Sequence, residues 1–227
     1  MPSIKKEGSV WTLRNTKGNE LKVNELGARI VSMRFRNKDF KNCFLLKDDA
    51  SFVIVDGGED FANVAWQGEG TLEGVKLSAT LGGKSATVTY SISNDNEISI
   101  KYETAGVEDI STAMTFSAEA LPAMNFRACQ KGAAWEKIAE EKAYPVTETA
   151  EVEMELGMFG YDPGCPIDYL NAGLKNAANL YSEAASIDVI VYATQDKIHA
   201  EAVDGGFAIK TSGAASGQTV YMIKNRK

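Results

Sequence analysis

The 227-residue chain is predicted to fold as an all-β protein, a large antiparallel β-sandwich. Three observations carry the prediction. Apolar and polar residues alternate with a period of two, as they do when successive side chains leave a pleated backbone on opposite sides and only one face is buried. Turn residues recur roughly every ten positions, a spacing that fits sandwiches and barrels rather than βαβ units. Only "GAAWEKIAEEKA" (132–143) has helical character, at about three turns or fewer.

Taken in order, "SVWTLRNT" and "ELKVNEL" flank Lys17-Gly18-Asn19, a hairpin turn. "RIVSMRFR" follows, where strict alternation puts Ile30, Ser32, Arg34 and Arg36 on one side and Val31, Met33 and Phe35 on the other. "TLEGVKLSATLG" runs to a glycine pair, after which "SATVTYSIS" and "EISIKYETA" enclose Asn94-Asp95-Asn96. In that hairpin Ala86, Val88, Tyr90 and Ile92 share a face, as do Ile98, Ile100 and Tyr102. Further strands are "STAMTFS", "AEVEMEL", "IDVIVYAT", "KIHAEAV", "FAIKTS" and "TVYMIKN". No internal repeat, low-complexity tract or Pro/Ser-rich linker divides the chain, so residues 1–227 read as one β domain.

Composition narrows the function. An apolar content of 44% supplies a sizeable core. The formal charge of -7 argues against a nucleic-acid partner, which needs a basic stripe to displace phosphate counterions. The two denser cationic stretches, "RFRNK" and "KNRK", read as solvated ends. No window approaches the roughly 18 apolar residues of a membrane helix. "MPSIKKEGSVWTL" lacks the apolar run of a secretory signal. Cys43, Cys129 and Cys165 are widely spaced and never paired as CxxC, which points to reduced thiols and a cytoplasmic location, not to a disulfide framework or a zinc site.

Several motif fragments fail on inspection. "LGGKSAT" ends like a phosphate loop but has Ser78 where the first glycine belongs, and strand alternation follows it; it reads as a hairpin turn. "GEGTLEG" misses dinucleotide spacing, and "NDNE" lacks the glycine and distant glutamate of a calcium loop. His199 is the only histidine, which rules out a two-histidine metal site. No GxSxG elbow supplies a nucleophile. Acid/base chemistry therefore falls to His199, carboxylates, tyrosines or a tuned lysine. Glu201 lies two positions from His199 on the same strand face, and the two form the best acid/base pair the sequence offers.

A succession of segments resembles the galactose mutarotase (aldose 1-epimerase) superfamily. They are "TLRNTKGNELKVNELGARIVSMRF", "GEDFANVAWQGEGTLEGVKLSAT", "ATVTYSISNDNEISIKYETAGVEDISTAMTFS" and "GLKNAANLYSEAASIDVIVYATQ". Their order is collinear with the family and covers most of the chain. The resemblance implies a large antiparallel supersandwich with a sugar-binding groove on one sheet, a small-molecule sugar partner and no cofactor. It also implies a mechanism in which a carboxylate takes the anomeric hydroxyl proton while a histidine protonates the ring oxygen.

Carried over by position, most of that equipment is missing. Asn63 in "FAN" is retained, but Val64 stands where the family has arginine. "TAMTFSAEA" carries no histidine. In "GFAIKTS", Lys210 stands where the family's base glutamate would be, and an ammonium accepts no proton unless burial lowers its pKa substantially. The family aspartate maps to either Asp162 or Asp168, Gln195 follows the family pattern, and Trp66 is a candidate to stack on a pyranose face. The sequence reading is thus a mutarotase-like carbohydrate-binding protein without the usual catalytic pair. Its alternatives are an active epimerase using His199 and Glu201, or a β-sandwich that docks another protein.

Overall fold

The alternation becomes two antiparallel sheets stacked around a shared core. The computed structural model describes residues 2–56, 59–107, 110–128, 142–145, 172–213 and 215–226. Numbered along the chain, the strands are β1 (Ser3–Glu7), β2 (Val10–Arg14), β3 (Glu20–Asn24), β4 (Arg29–Arg36), β5 (Asn42–Phe44), β6 (Leu46–Asp56), β7 (Glu59–Asp60), β8 (Gln67–Gly70), β9 (Val75–Leu81), β10 (Lys84–Ile92), β11 (Glu97–Ala105), β12 (Ile110–Ser117), β13 (Asn125–Ala128), β14 (Lys142–Pro145), β15 (Lys175–Ser182), β16 (Ile187–Ala193), β17 (Lys197–Val203), β18 (Gly206–Gly213) and β19 (Ser216–Asn225). One sheet runs β1-β2-β3-β4-β6-β12-β18-β17-β14, with β5 added to β4 and β7 to β6. The other runs β13-β15-β16-β19-β11-β10-β9-β8. The helical element among the described residues is a 3-10 turn, Phe61–Asn63.

Both sheets send alternate residues into one cluster. From the first come Leu13, Leu21, Val23, Met33 and Phe35; from the second, the Ala86–Ile92 and Ile98–Tyr102 faces expected from the sequence. Each large side chain so buried contributes about 1.5–3 kcal/mol. The glycine pair after β9 is a two-residue hairpin turn. Leu81 pairs with Lys84, and Gly82 and Gly83 have φ 55° and 80°, the positive values a type I′ turn requires.

Strict alternation fails in β4. The β3–β4 register passes from Lys22↔Ser32 to Val23↔Ile30, leaving Val31 as an extra residue. This bulge reverses the phase of the strand, so Ile30 joins Met33 and Phe35 in the core instead of sharing a face with Arg34. Just before it, Gly27 has φ 68°, and a β-carbon there would lie 2.1 Å from the Ala62 carbonyl oxygen. Its N–H donates to Val64 (2.8 Å), which seats the Phe61–Asn63 turn against the β3–β4 corner.

The helical stretch expected at 132–143 lies outside the described residues except for Lys142 and Ala143, which begin β14. The "AEVEMEL" strand, Cys129 and Cys165 also lie outside them. No helix of the described residues is long and apolar enough to cross a membrane.

Candidate functional site

The β17–β18 hairpin brings the candidate acid/base residues together. Lys210 pairs directly with His199, and on its other side with Ala113 of β12. The flanking residues Ile198, Ala200, Ile209 and Thr211 are all buried, so alternation turns Lys210 and His199 away from the core, onto the outward face of the larger sheet. Glu201 shares that face, and its Oε1 lies 3.7 Å from Lys210 Nζ, with side chains 28% and 39% exposed. A half-exposed pair of this kind adds under about 1 kcal/mol of stability. Its importance is placement. An ammonium that donates, a carboxylate that accepts and an imidazole that can do either share one patch. Ala208, a small residue, lies beside them, paired with both Glu201 and Thr115.

The remaining candidates are dispersed. Asn63 is exposed on the 3-10 turn, its Nδ2 donating to Asp60 Oδ2 (2.7 Å). Along β6, Ser51 is level with Ala113 and hence with Lys210, whereas Asp60 pairs with Val55. Four residues at strand rise put that turn's base about 13 Å from the Lys210 row. Trp66 belongs to the core. It is 2% exposed, its Nε1 donates to Phe61 O (3.0 Å), and it meets Phe61 edge to face. No ring face is left for a pyranose. Asp162 and Asp168 lie outside the described residues. Among the described residues, no three His, Cys, Asp or Glu side chains are grouped to hold a metal ion.

Gln195 is also buried, at 3%, and ends a chain of hydroxyls that crosses between the sheets. Thr112 and Thr211 Oγ1 are 2.7 Å apart, Thr211 and Thr219 Oγ1 2.9 Å, and Thr219 donates to Gln195 Oε1 at 3.3 Å. A carbonyl oxygen only accepts and each hydroxyl has one hydrogen, so the direction is fixed: Thr112 donates to Thr211, and Thr211 to Thr219. Tyr102, raised by burial above the ordinary phenol range, is hydrogen-bonded to the same glutamine. This arrangement ties the two sheets together and does not face the Lys210 patch.

Two other carboxylates are held by cations at the first strands. Burial works against ionisation of Glu20, but hydrogen bonding from Arg14 and the charge of Arg34 outweigh it and keep the carboxyl below its ordinary value. Glu25 behaves likewise: burial opposes it, while Lys6 and the Trp11 indole N–H hold it down.

The shared face of His199 and Glu201 had a sequence signal, the period of two, whereas the position of Lys210 across from His199 is given by the β17–β18 register. The Thr112–Gln195 chain had none, because its members come from four separate segments.

No protein-family model and no curated protein matches the sequence. Solved structures do match. The chain is similar to a GalM/aldose epimerase homologue from C. elegans over 100% of both chains, at 11% identity and TM-score 0.68. It is also similar to a galactose mutarotase related enzyme from Lactobacillus acidophilus, over 100% of this chain and 99% of that one, at 9% identity and TM-score 0.56. A Synechocystis protein matches over 100% and 96%, at 8% identity and TM-score 0.52. At such identities the likeness is one of architecture, and it agrees with the two-sheet order and the burial pattern described above: the chain has the galactose mutarotase-like fold.

Proposed function

We propose that the chain is a mutarotase-like carbohydrate-binding protein, taking a hexose or a hexose derivative on the outward face of β12, β18 and β17. Lys210, His199 and Glu201 are its polar contacts on that face; either Asp162 or Asp168 is a further contact implied by the resemblance, whereas Asn63, about 13 Å along the sheet, is not one of them. The observation that carries the reading is the Lys210–His199 pair with Glu201 3.7 Å from the lysine. A neutral sugar is held by such donors and acceptors aimed at several hydroxyls at once.

Mutarotation needs a base for the anomeric proton and an acid for the ring oxygen. The carboxylate in this patch is engaged with Lys210, and the lysine itself donates. Binding without rapid anomer exchange is therefore the reading the geometry favours. Backbone amide shifts of the isotope-labelled protein, followed during titration with a panel of hexoses, test it. Saturable shifts centred on β17 and β18 support it, and a panel that moves nothing there ends it. The shared face of His199 and Glu201 favours a second reading, an epimerase with relocated groups. Polarimetry on freshly dissolved α-glucose or α-galactose decides that one, because a rate equal to the buffer blank removes it.

A further inference from the structure

Three hairpin ends meet at one end of the sandwich, and all three are built on the same five-residue frame. They are residues 15–19, 37–41 and 93–97. In each, the first residue's N–H donates to the fifth residue's carbonyl (3.0, 3.0 and 2.9 Å), and the fourth residue's N–H donates to the first residue's carbonyl (3.1, 2.9 and 3.2 Å). In each, the first residue's side-chain oxygen also accepts the N–H groups of the third and fifth residues. Asn15 does so from Lys17 and Asn19, Asn37 from Asp39 and Lys41, and Ser93 from Asp95 and Glu97. The fourth residue takes the left-handed conformation: Gly18 at φ 81°, Phe40 at 59° and Asn96 at 66°.

The three turns border a depression of about 280 Å³ lined by Lys17, Arg36, Lys38, Asn37, Asn96 and Phe40, among others, with no Asp or Glu in the lining. The frame fixes which amide atoms are left over. Backbone N–H groups only donate, so the Asn15 atom that receives Lys17 and Asn19 is Oδ1, and its Nδ2 is the donor to Asn96 (3.0 Å). Asn19 Nδ2 donates to the same Asn96 atom (2.6 Å). That atom is therefore Oδ1, and the Asn96 NH2 group is the arm outside this network. By the same reasoning Asn37 Oδ1 is taken by Asp39 and Lys41, which leaves its NH2 group. Among the described residues, Arg36 and Lys38 have no ion-pair partner, and Lys17 has a loose, exposed one in Asp95 at 3.7 Å. What remains in the lining is a set of donors and positive charges.

A second depression of equal volume, about 280 Å³, shows the contrast. It lies over β1, β2 and β3, and its cations are compensated in place: Lys5 by Glu7, Arg14 and Lys22 by Glu20. Of these two depressions, the turn-end one has a lining with three cations and no carboxylate, the acids of its turns, Asp39, Asp95 and Glu97, standing outside that lining, in a chain of net charge -7.

Phe40 sharpens the reading. The fourth place in this frame favours glycine or asparagine, since a left-handed backbone costs other residues on the order of 1 kcal/mol. Here it holds a phenylalanine that is 81% exposed. Neither burial nor backbone preference accounts for it. Its ring stands at the rim of the cationic depression, as a surface for the apolar part of a charged ligand.

We infer that this turn-end depression binds a phosphate or sulfate monoester. The oxyanion sits among Lys17, Arg36, Lys38 and the Asn37 and Asn96 amides, and the carbon skeleton lies on Phe40. Arginine and lysine donors match a tetrahedral oxyanion in both charge and direction. The site is separate from the Lys210 face and does not depend on it.

Amide and side-chain NH2 signals of the isotope-labelled full chain, in phosphate-free buffer of low ionic strength, test this. The titrants are inorganic phosphate, inorganic sulfate and phenyl phosphate, with glucose as the neutral control. The Asn37 and Asn96 NH2 signals are expected to move with all three anions and not with glucose, and phenyl phosphate is expected to bind about fivefold or more tighter than inorganic phosphate. An Arg36→Gln/Lys38→Gln double variant weakens every anion about tenfold or more. Phe40→Gly, which suits the left-handed backbone, brings phenyl phosphate down to the level of inorganic phosphate without lowering the melting temperature. Anions that leave the Asn37 and Asn96 signals still, or a double variant that binds as well as the parent, overturn the site. Equal affinity for the free ion and the ester overturns the role given to Phe40.

Discussion

Lys210 stands directly across the β17–β18 ladder from His199, and its ammonium lies 3.7 Å from the carboxylate of Glu201. Lys210 is thus part of a polar patch on the sheet, not an isolated solvated side chain. Lys210→Met keeps the aliphatic stem and removes the charge. It is expected to shift the melting temperature by no more than about 2–4 °C, the equivalent of about 1 kcal/mol in a chain of this size. Hexose affinity should fall about tenfold, because a hydrogen bond from a charged donor is lost. Unchanged affinity would take Lys210 out of the site.

Trp66 makes the opposite test. Trp66→Phe leaves the Phe61 carbonyl without its indole donor and shrinks a buried side chain, at a cost of about 1–3 kcal/mol in urea denaturation. Hexose binding is expected to be unaffected. A drop in affinity without a drop in stability would return Trp66 to the groove.

The hydroxyl chain predicts an order of effects. Thr211→Val strands the buried Thr112 hydroxyl without an acceptor and deprives Thr219 of a donor, for a loss of about 1–3 kcal/mol. Thr112→Val costs less, because Thr211 still spends its hydrogen on Thr219. Denaturation of the two variants in parallel checks the order, and equal losses would contradict the direction assigned to the chain.

Much of this architecture was legible because strands declare their faces. The Ala86–Ile92 and Ile98–Tyr102 stripes, and the shared face of His199 and Glu201, follow from a period of two. What alternation cannot show is where it breaks. Val31 looks like an ordinary strand residue, and only its pairing with β3 reveals the bulge that sends Ile30 inward. Long-range partners are equally silent: nothing near Lys210 announces Ala113, nearly a hundred residues earlier. Trp66 could be read either way, and burial decided it. Of the three matching turns, Asn15–Asn19 and Ser93–Glu97 carry the usual Gly18 and Asn96, whereas Phe40 hides the third.

Acid should weaken the fold through its first strands. Glu20 and Glu25 ionise in the folded chain below the ordinary 4.5, so as pH falls the unfolded chain binds protons first. Their contribution is complete above about pH 4.5 and is lost as the pH drops through the folded values. Asp188 works in reverse. Burial raises it above 3.8 in spite of Arg226, so its protonation offsets part of the loss. Glu20→Gln is expected to flatten the decline in stability between about pH 5 and pH 3, measured by urea denaturation at each pH. An unchanged slope would show that the Arg14–Glu20–Arg34 cluster does not govern it.

Strand β19 is inserted between β11 and β16, and this order constrains how the chain can be made. Once β8 to β11 have emerged from the ribosome, the outer edge of β11 waits until residues 216–225 arrive, roughly a hundred residues later. At about 5–20 residues per second, that is on the order of ten seconds of translation. An unpaired ladder is a template on which another chain can pair. Covering that edge is therefore one of the last events of synthesis, however stable the finished sandwich is.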